Sequence, residues 1–77
     1  MAVYFCDYTK DAQEAMKKFG VTNADVQEIF NKGFSESSVA KFIDKDGFRT
    51  KIYFNYDGYT LRYVILAVFR RPLKVKK

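Results

Sequence analysis

The sequence contains no histidine and only one cysteine, Cys6, among its 77 residues. Without histidine, neither a Ser-His triad nor a histidine general base can form, and the Cys6 thiol has no imidazole to accept its proton. One cysteine cannot close an internal disulfide, and no Cys/His set is present for a zinc site. Most hydrolase chemistries are therefore excluded, no metal or other cofactor is expected, and the lone cysteine is typical of a reducing compartment.

Glycine is scarce and dispersed, and long apolar stretches are missing. A phosphate-binding loop needs clustered glycines, so none is expected from four glycines that lie far apart. The longest run without a charged residue covers residues 63–69, which is too short to span a membrane. Residues 1–7 lack the basic start and apolar centre of a signal peptide. We therefore expect a soluble cytoplasmic protein that makes no contact with a membrane.

Aromatic side chains, in contrast, are abundant, with eight Phe and six Tyr. Each buries a large apolar area, which a short chain without a disulfide or a metal needs for its core. The length suffices for one domain, predicted over residues 1–71, with residues 72–77 as a basic C-terminal tail. Aromatic side chains beyond the need of the core could line a ligand surface or the interface of a homodimer.

The net charge of +5 is concentrated at one end of the chain. Residues 70–77 hold five of the fourteen Lys and Arg residues and none of the nine Asp and Glu residues, so residues 1–69 are neutral. A terminal basic cluster can hold a phosphate backbone by charge, and it can equally keep a Phe-rich protein in solution. The charge alone leaves both interpretations open.

Two short helices are predicted in the first half of the chain, after a strand over residues 3–8. Thr9 is placed as the N-cap of the first helix, whose apolar side chains recur at helical spacing. Thr22 and Asp25 have the spacing of a capping box at the start of the second helix, and Gly33 is placed to end it. The short break between the helices predicts an αα-hairpin.

The second half is predicted to form three antiparallel strands, over residues 38–44, 48–56 and 59–71. The middle segment alternates between apolar and polar side chains, as a strand with one buried face does. The Asp-Gly pair that follows it predicts a two-residue hairpin loop. That loop would pair Tyr56 with Tyr59, Tyr53 with Arg62, and Lys51 with Val64. The expected fold is α+β in the order β-α-α-β-β-β, with a helical hairpin packed on a mostly antiparallel sheet.

The polar side of the strand over residues 48–56 is the candidate functional surface. Arg49, Lys51 and Tyr53 lie on this side, and the predicted pairing adds Arg62 beside Tyr53. Arg70 has the same parity as Arg62 on the last strand, so we expect both on one side. Cations interleaved with aromatic rings on a sheet suit phosphates and stacked bases, and the same pattern also describes the solvated outer face of a sheet.

The chain resembles a known superfamily in two places. The stretch from Asp11 to Gly33, with its Met16-Lys17-Lys18-Phe19-Gly20-Val21-Thr22 run, looks like the helical hairpin of the RelE/ParE-like toxins. The similarity is to the BrnT-type toxins and a neighbouring short family of unknown function. The last strand, ending in Arg70-Arg71, is similar too, as is the order of elements. Those families often carry histidines around the first helix, and this sequence has none.

The resemblance implies an endoribonuclease toxin, free or ribosome-dependent, or an RNA-binding derivative of one. RNA or the ribosome would then be the target, and a cognate antitoxin would be a protein partner. Carried over, Arg62 and Arg70 would neutralise the scissile phosphate, supported by Lys51 or Arg49, with Tyr53 stacking on or orienting the RNA. The expected RNA-holding cations are Arg49, Arg71, Lys74, Lys76 and Lys77.

A second interpretation is a non-enzymatic interaction or inhibitor protein. Its aromatic surface would then contact a protein partner instead of RNA. The neutral charge of residues 1–69 favours this interpretation, whereas the terminal basic cluster favours RNA. The sequence leaves both open.

Overall fold

The computed structural model describes residues 2–73, which form two helices and five strands in the order β-α-α-β-β-β-β. Their bounds are β1 Cys6–Tyr8, α1 Lys10–Phe19, α2 Asn23–Lys32, β2 Phe34–Ser37, β3 Ala40–Lys45, β4 Phe48–Asp57 and β5 Arg62–Pro72. The strands lie side by side in the order β1-β5-β4-β3-β2. Only β1 and β5 run parallel among these neighbours. The predicted α+β fold, a helical hairpin on a mostly antiparallel sheet, is confirmed.

Both helices begin at the caps that the sequence predicts. The Thr9 hydroxyl accepts the backbone N–H of Ala12 at 3.1 Å, which satisfies one of the free donors at the start of α1. Thr22 and Asp25 form a complete capping box at the start of α2. Gly20 between the helices has φ of 70°, the left-handed conformation that ends α1. These local signals set where each helix begins and where α1 ends.

The helices cover one face of the sheet and bury its apolar side chains. The largest fully buried side chains are Val26 and Ile29 of α2, Ile52 of β4, and Ile65 and Val68 of β5. Burying an aliphatic side chain of this size stabilises the fold by about 1.5–3 kcal/mol. An aromatic cluster of Tyr4, Phe30, Phe54 and Tyr63 packs against this core, with ring centroids 4.8–5.8 Å apart. The opposite face of the sheet is covered by neither helix.

Gly33 joins α2 to β2 and lies close to the backbone of β3. A Cβ atom at this position would lie 2.5 Å from the carbonyl oxygen of Ile29 and 2.6 Å from that of Phe42. Both atoms belong to the backbone, so neither can move aside easily. The predicted end of the helix at Gly33 is confirmed, and the reason is close contact with β3 and not a left-handed φ.

The N-terminal segment, residues 2–5, is held against α2 by side-chain amides. Gln27 accepts the N–H of Tyr4 at 2.8 Å and donates to its carbonyl at 2.6 Å. Asn31, one turn further along α2, accepts the N–H of Ala2 at 3.1 Å and donates to its carbonyl at 2.9 Å. This arrangement shortens the first strand, predicted over residues 3–8, to Cys6–Tyr8.

One strand was not predicted. β2 pairs antiparallel with β3 at the edge of the sheet, and all four of its residues are exposed. The register shifts between Ser35 and Ser37, which leaves Glu36 as an extra residue. Neither face of β2 is buried, and its sequence shows no alternation of apolar and polar residues. The sequence pattern therefore did not indicate a strand here. The predicted strand over residues 38–44 accordingly begins at Ala40 instead.

The predicted two-residue loop between the last strands is wrong. Asp57 pairs with Arg62, so four residues separate the strands. A two-residue Asp-Gly turn needs positive φ at both positions, whereas here the positive φ, 58°, belongs to Leu61. The Asp57 carboxylate instead accepts the N–H of Tyr59 at 2.9 Å, which stabilises the wider loop. The longer loop, together with a register shift between Tyr53 and Phe54, displaces every predicted pair, so Tyr53 lies opposite Ala67 and Lys51 opposite Phe69.

Candidate nucleic-acid interface

The face of the sheet opposite the helices, called the open face below, carries three rows of side chains in cross-strand register. The aromatic row consists of Phe34, Phe42, Lys51 and Phe69, one from each of β2 to β5. The charged row consists of Asp44, Arg49 and Arg71. The tyrosine row consists of Ala40, Tyr53 and Ala67. Successive rows are two residues apart along each strand, which corresponds to about 7 Å.

The aromatic rings of the open face form two groups with Lys51 between them. Phe34 lies against Phe42, with ring centroids 5.7 Å apart. On the other side, Phe69 meets Tyr53 edge-on at 5.9 Å. The side chains of Phe34 and Phe69 are 64% and 51% exposed, so both present ring surface to solvent. Exposed aromatic surface of this kind on a sheet is available for stacking by a ligand.

Arg49 and Arg71 supply the positive charge of the charged row. The Arg49 guanidinium lies 4.4 Å from the centroid of the Phe42 ring and donates two hydrogen bonds, 2.7 and 2.9 Å, to Asp44. These bonds lower the pKa of the Asp44 carboxyl and raise the pKa of the Arg49 guanidinium. Arg71 is exposed and, within residues 2–73, takes part in no ion pair.

Lys51 stands at the centre of the open face and is also paired with a carboxylate. Its ammonium lies 2.5 Å from Glu36 Oε1 and 5.2 Å from the centroid of the Tyr53 ring. Hydrogen bonds to Glu36, and secondly to Tyr53, raise the pKa of the Lys51 ammonium. A depression of about 340 Å³ lies over this site; the side chains around it include Glu36, Arg49, Lys51, Tyr53, Phe69 and Arg71.

Arg70, predicted as a catalytic residue, lies on the opposite side of the sheet from these groups. Its guanidinium donates to the hydroxyl of the buried Thr50 at 2.9 Å and to the carbonyl of Phe19 at 3.3 Å. It also lies 3.8 Å from the Asp25 carboxylate in the capping box of α2. Arg70 thus ties the end of α1 and the start of α2 to the sheet, which is a structural role.

Arg62, the other predicted phosphate ligand, lies at the far end of the sheet. It stands opposite Asp57, four residues beyond Tyr53 on β4, which is about 13 Å along the strand. Its guanidinium donates to Asp7 at 2.9 Å and lies 5.8 Å from the centroid of the Phe5 ring. The bond to Asp7 raises the pKa of the guanidinium. The predicted neighbourhood of Arg62 and Tyr53 is therefore wrong.

The prediction that Arg62 and Arg70 share one side of the last strand is also wrong. Phe54 pairs with Ile65 and Tyr53 with Ala67, so Leu66 is an extra residue in β5. A bulge of this kind reverses the parity of every side chain beyond it. The sequence-predicted residues that the structure brings together are Arg49, Lys51, Tyr53 and Arg71. Lys74, Lys76 and Lys77 lie outside the described residues.

The sequence did not indicate the three phenylalanines of the open face or the two carboxylates paired with its cations. These residues are Phe34, Phe42, Phe69, Glu36 and Asp44. Each is unremarkable by itself, and only the strand register brings them beside Lys51 and Arg49.

Comparisons with known proteins identify no relative. No protein-family model matches the chain, and no curated protein or solved structure matches it at a significant level. None of the helices in residues 2–73 is long and apolar enough to cross a membrane. Within the same residues, no group of three or more Cys, Asp or Glu side chains is placed to hold a metal ion.

Proposed function

We propose that the open face binds RNA. The observation that carries this proposal is the interleaving of Arg49, Lys51 and Arg71 with exposed aromatic rings on the face of the sheet that neither helix covers. Cations attract phosphates, and ring faces stack on bases that are not paired with another strand. A cytoplasmic location, as the sequence predicts, gives access to RNA and to the ribosome.

The position of the charged row supports the proposal further. The backbone N–H of Leu73 donates to the carbonyl of Gly47 at 2.9 Å, next to the strand ends that carry Arg49 and Arg71. Three lysines follow in the sequence, at 74, 76 and 77. Arg71 of the charged row thus belongs to the cluster of five cations in residues 70–77 that carries the excess positive charge of the chain, and such charge attracts a phosphate backbone.

Binding is favoured over cleavage by the separation of the residues assigned to catalysis. Stabilising one scissile phosphate requires the cations to converge on it. Arg62 is about 13 Å along the strand from Tyr53, and Arg70 faces the helices. If cleavage does accompany binding, Arg49 and Arg71, instead of Arg62 and Arg70, would have to stabilise the scissile phosphate. A cognate antitoxin would then be expected to cover the open face.

A protein interface is the second candidate function for the same surface. Its supporting observation is that Arg49 and Lys51 are already paired with Asp44 and Glu36, so much of the positive charge is compensated within the molecule. The exposed ring of Phe69 would then pack against an apolar patch, on a partner protein or on a second copy of the chain.

The test is RNA binding as a function of salt, measured by fluorescence anisotropy of a labelled single-stranded RNA. We expect the affinity of the parent to fall steeply with salt, and Arg71→Ala to bind more weakly with a salt slope reduced by about one. Lys17→Ala, an equal charge change on an exposed position of α1, is the matched control and should bind like the parent.

Two results would contradict the proposal. One is the absence of salt-dependent RNA binding by the folded parent, which would favour the protein interface. The other is an equal loss of affinity in the Lys17 and Arg71 variants, which would mean diffuse attraction over the whole molecule. Mapping RNA ends after induced expression in a bacterial host separates cleavage from binding alone.

A further inference from the structure

The aromatic row contains two exposed ring surfaces on either side of one cation. Phe42 and Phe69 are the cross-strand neighbours of Lys51, one on each side. Neighbouring strands are about 4.8 Å apart, so the two aromatic positions are about 10 Å apart. Phe34 extends the first position toward the sheet edge, since its ring is in contact with Phe42 and more exposed.

The charged row runs parallel to the aromatic row, about 7 Å away. Arg49 and Arg71 are neighbours across the β4–β5 pair, in the same register as Lys51 and Phe69. A nucleic-acid strand that crosses the β-strands can therefore place its phosphates along Arg49 and Arg71 and turn its bases toward the rings. Paired bases cannot reach the rings, because their faces are occupied by the neighbouring base pairs of the duplex.

We propose that the open face is a site for two unpaired nucleotides, with one base stacked on Phe69 and the other on the Phe34–Phe42 pair. This inference rests on the proposed function and names its ligand class as single-stranded RNA with at least two adjacent unpaired bases. Lys51 lies between the two bases and contacts the linking phosphate in place of Glu36. Ring stacking accepts every base, so the site is tolerant of sequence.

The experiment compares a labelled single-stranded RNA 12-mer with the duplex that it forms with its complement. We expect the parent to bind the single strand more tightly. Phe69→Ala should weaken single-strand binding by about 5- to 100-fold and leave duplex binding unchanged. Phe69→Tyr retains a ring face and should bind like the parent, whereas Phe69→Leu should not. Phe48→Ala is the matched control, because Phe48 is similarly exposed, at 44%, on the other face of the sheet.

The two stacking positions are tested by combining variants. Because Phe34 and Phe69 are not in contact, the fold-losses of Phe34→Ala and Phe69→Ala should multiply in the double variant. Equal affinity for single strand and duplex, together with an unaffected Phe69→Ala, would overturn the two-base site. If Arg71→Ala still weakened binding in that case, the proposed RNA-binding function would be retained, with binding through charge and without base stacking. If the folded parent bound neither RNA, the proposed function itself would fail.

Discussion

Glu36 and Lys51 form an ion pair although they are not cross-strand partners. Glu36 is the extra residue at the register shift in β2, and Lys51 lies on β4, two strands away. The bulge turns the Glu36 carboxylate over the open face of the sheet, where it meets the Lys51 ammonium at 2.5 Å. A carboxylate in this position competes with any phosphate for the same cation.

Removing this competition should strengthen RNA binding. Glu36→Gln keeps the shape of the side chain, frees Lys51 and removes a charge that repels phosphate, so we expect about a two- to tenfold gain in affinity. Anisotropy titration at fixed salt measures the change. Glu28→Gln is the control. Glu28 forms an ion pair with Lys45, with 2.8 Å between the charged atoms, and this pair does not lie on the open face. Unchanged or weaker binding by Glu36→Gln would contradict a role of Lys51 in phosphate contact.

Substitution of Arg70 should lower the stability of the fold, whereas substitution of its neighbour Arg71 should weaken RNA binding and leave stability unchanged. Arg70→Ala leaves the hydroxyl of the buried Thr50 and the carbonyl of Phe19 without their donor, at a cost of about 1–3 kcal/mol. In a domain of this size the thermal midpoint then falls by roughly 5–20 °C. Arg71→Ala removes an exposed side chain and should leave the midpoint within a few degrees. Thermal denaturation followed by circular dichroism measures both, and equal midpoints would refute the structural role of Arg70.

Gly33 should not tolerate even one methyl group. The Cβ of alanine would meet two backbone carbonyl oxygens at 2.5 and 2.6 Å, so α2 and β3 would have to move apart. We expect Gly33→Ala to destabilise the fold by about 1–3 kcal/mol, as overpacking does. Gly58→Ala is the control, because no atom lies within 4 Å of a Cβ placed there. Urea denaturation of the two variants gives the comparison, and equal midpoints would be inconsistent with the close approach of α2 and β3.

Tyr8 should make stability fall at alkaline pH. Burial, with smaller contributions from Cys6, raises the pKa of Tyr8 from 10.0 to about 12, and the hydroxyl donates to Asn23 Oδ1. The unfolded chain therefore loses this proton before the folded one does. The stabilising contribution is complete below pH 10 and is lost as the pH rises toward 12. Tyr8→Phe should flatten this decline in the free energy of unfolding and remove a tyrosinate signal near pH 12 from an absorbance titration. If the decline and the signal both persisted in the variant, their assignment to Tyr8 would be wrong.

The helical hairpin could be predicted from the sequence because its determinants are local. The caps at Thr9 and Thr22 act within four residues of their own position, and the apolar spacing of each helix needs no knowledge of the sheet. The alternation in β4 likewise placed the buried Thr50, Ile52 and Phe54 on one side of the strand, whereas Phe48 and Tyr56, at the ends of the same side, are exposed.

The candidate site could be predicted only in part because it depends on long-range register. The Asp57 carboxylate widened the β4–β5 loop, and the extra residue Leu66 reversed the parity of β5. Neither effect has a sequence pattern that distinguishes it from a regular hairpin. Arg49, Lys51 and Tyr53 were placed together correctly since they lie on one strand. Arg62 was placed too close to Tyr53 because the loop is longer than predicted, and Arg70 was placed on the wrong face because the bulge lies between it and Arg62.

The side-chain amides of Gln27 and Asn31 form hydrogen bonds with the backbone of Tyr4 and Ala2. These hydrogen bonds decide where a label can be attached without disturbing RNA binding. They direct the polypeptide preceding Tyr4 along α2, on the helical side of the molecule. A purification tag or fluorophore joined ahead of Ala2 would emerge there, remote from the aromatic row.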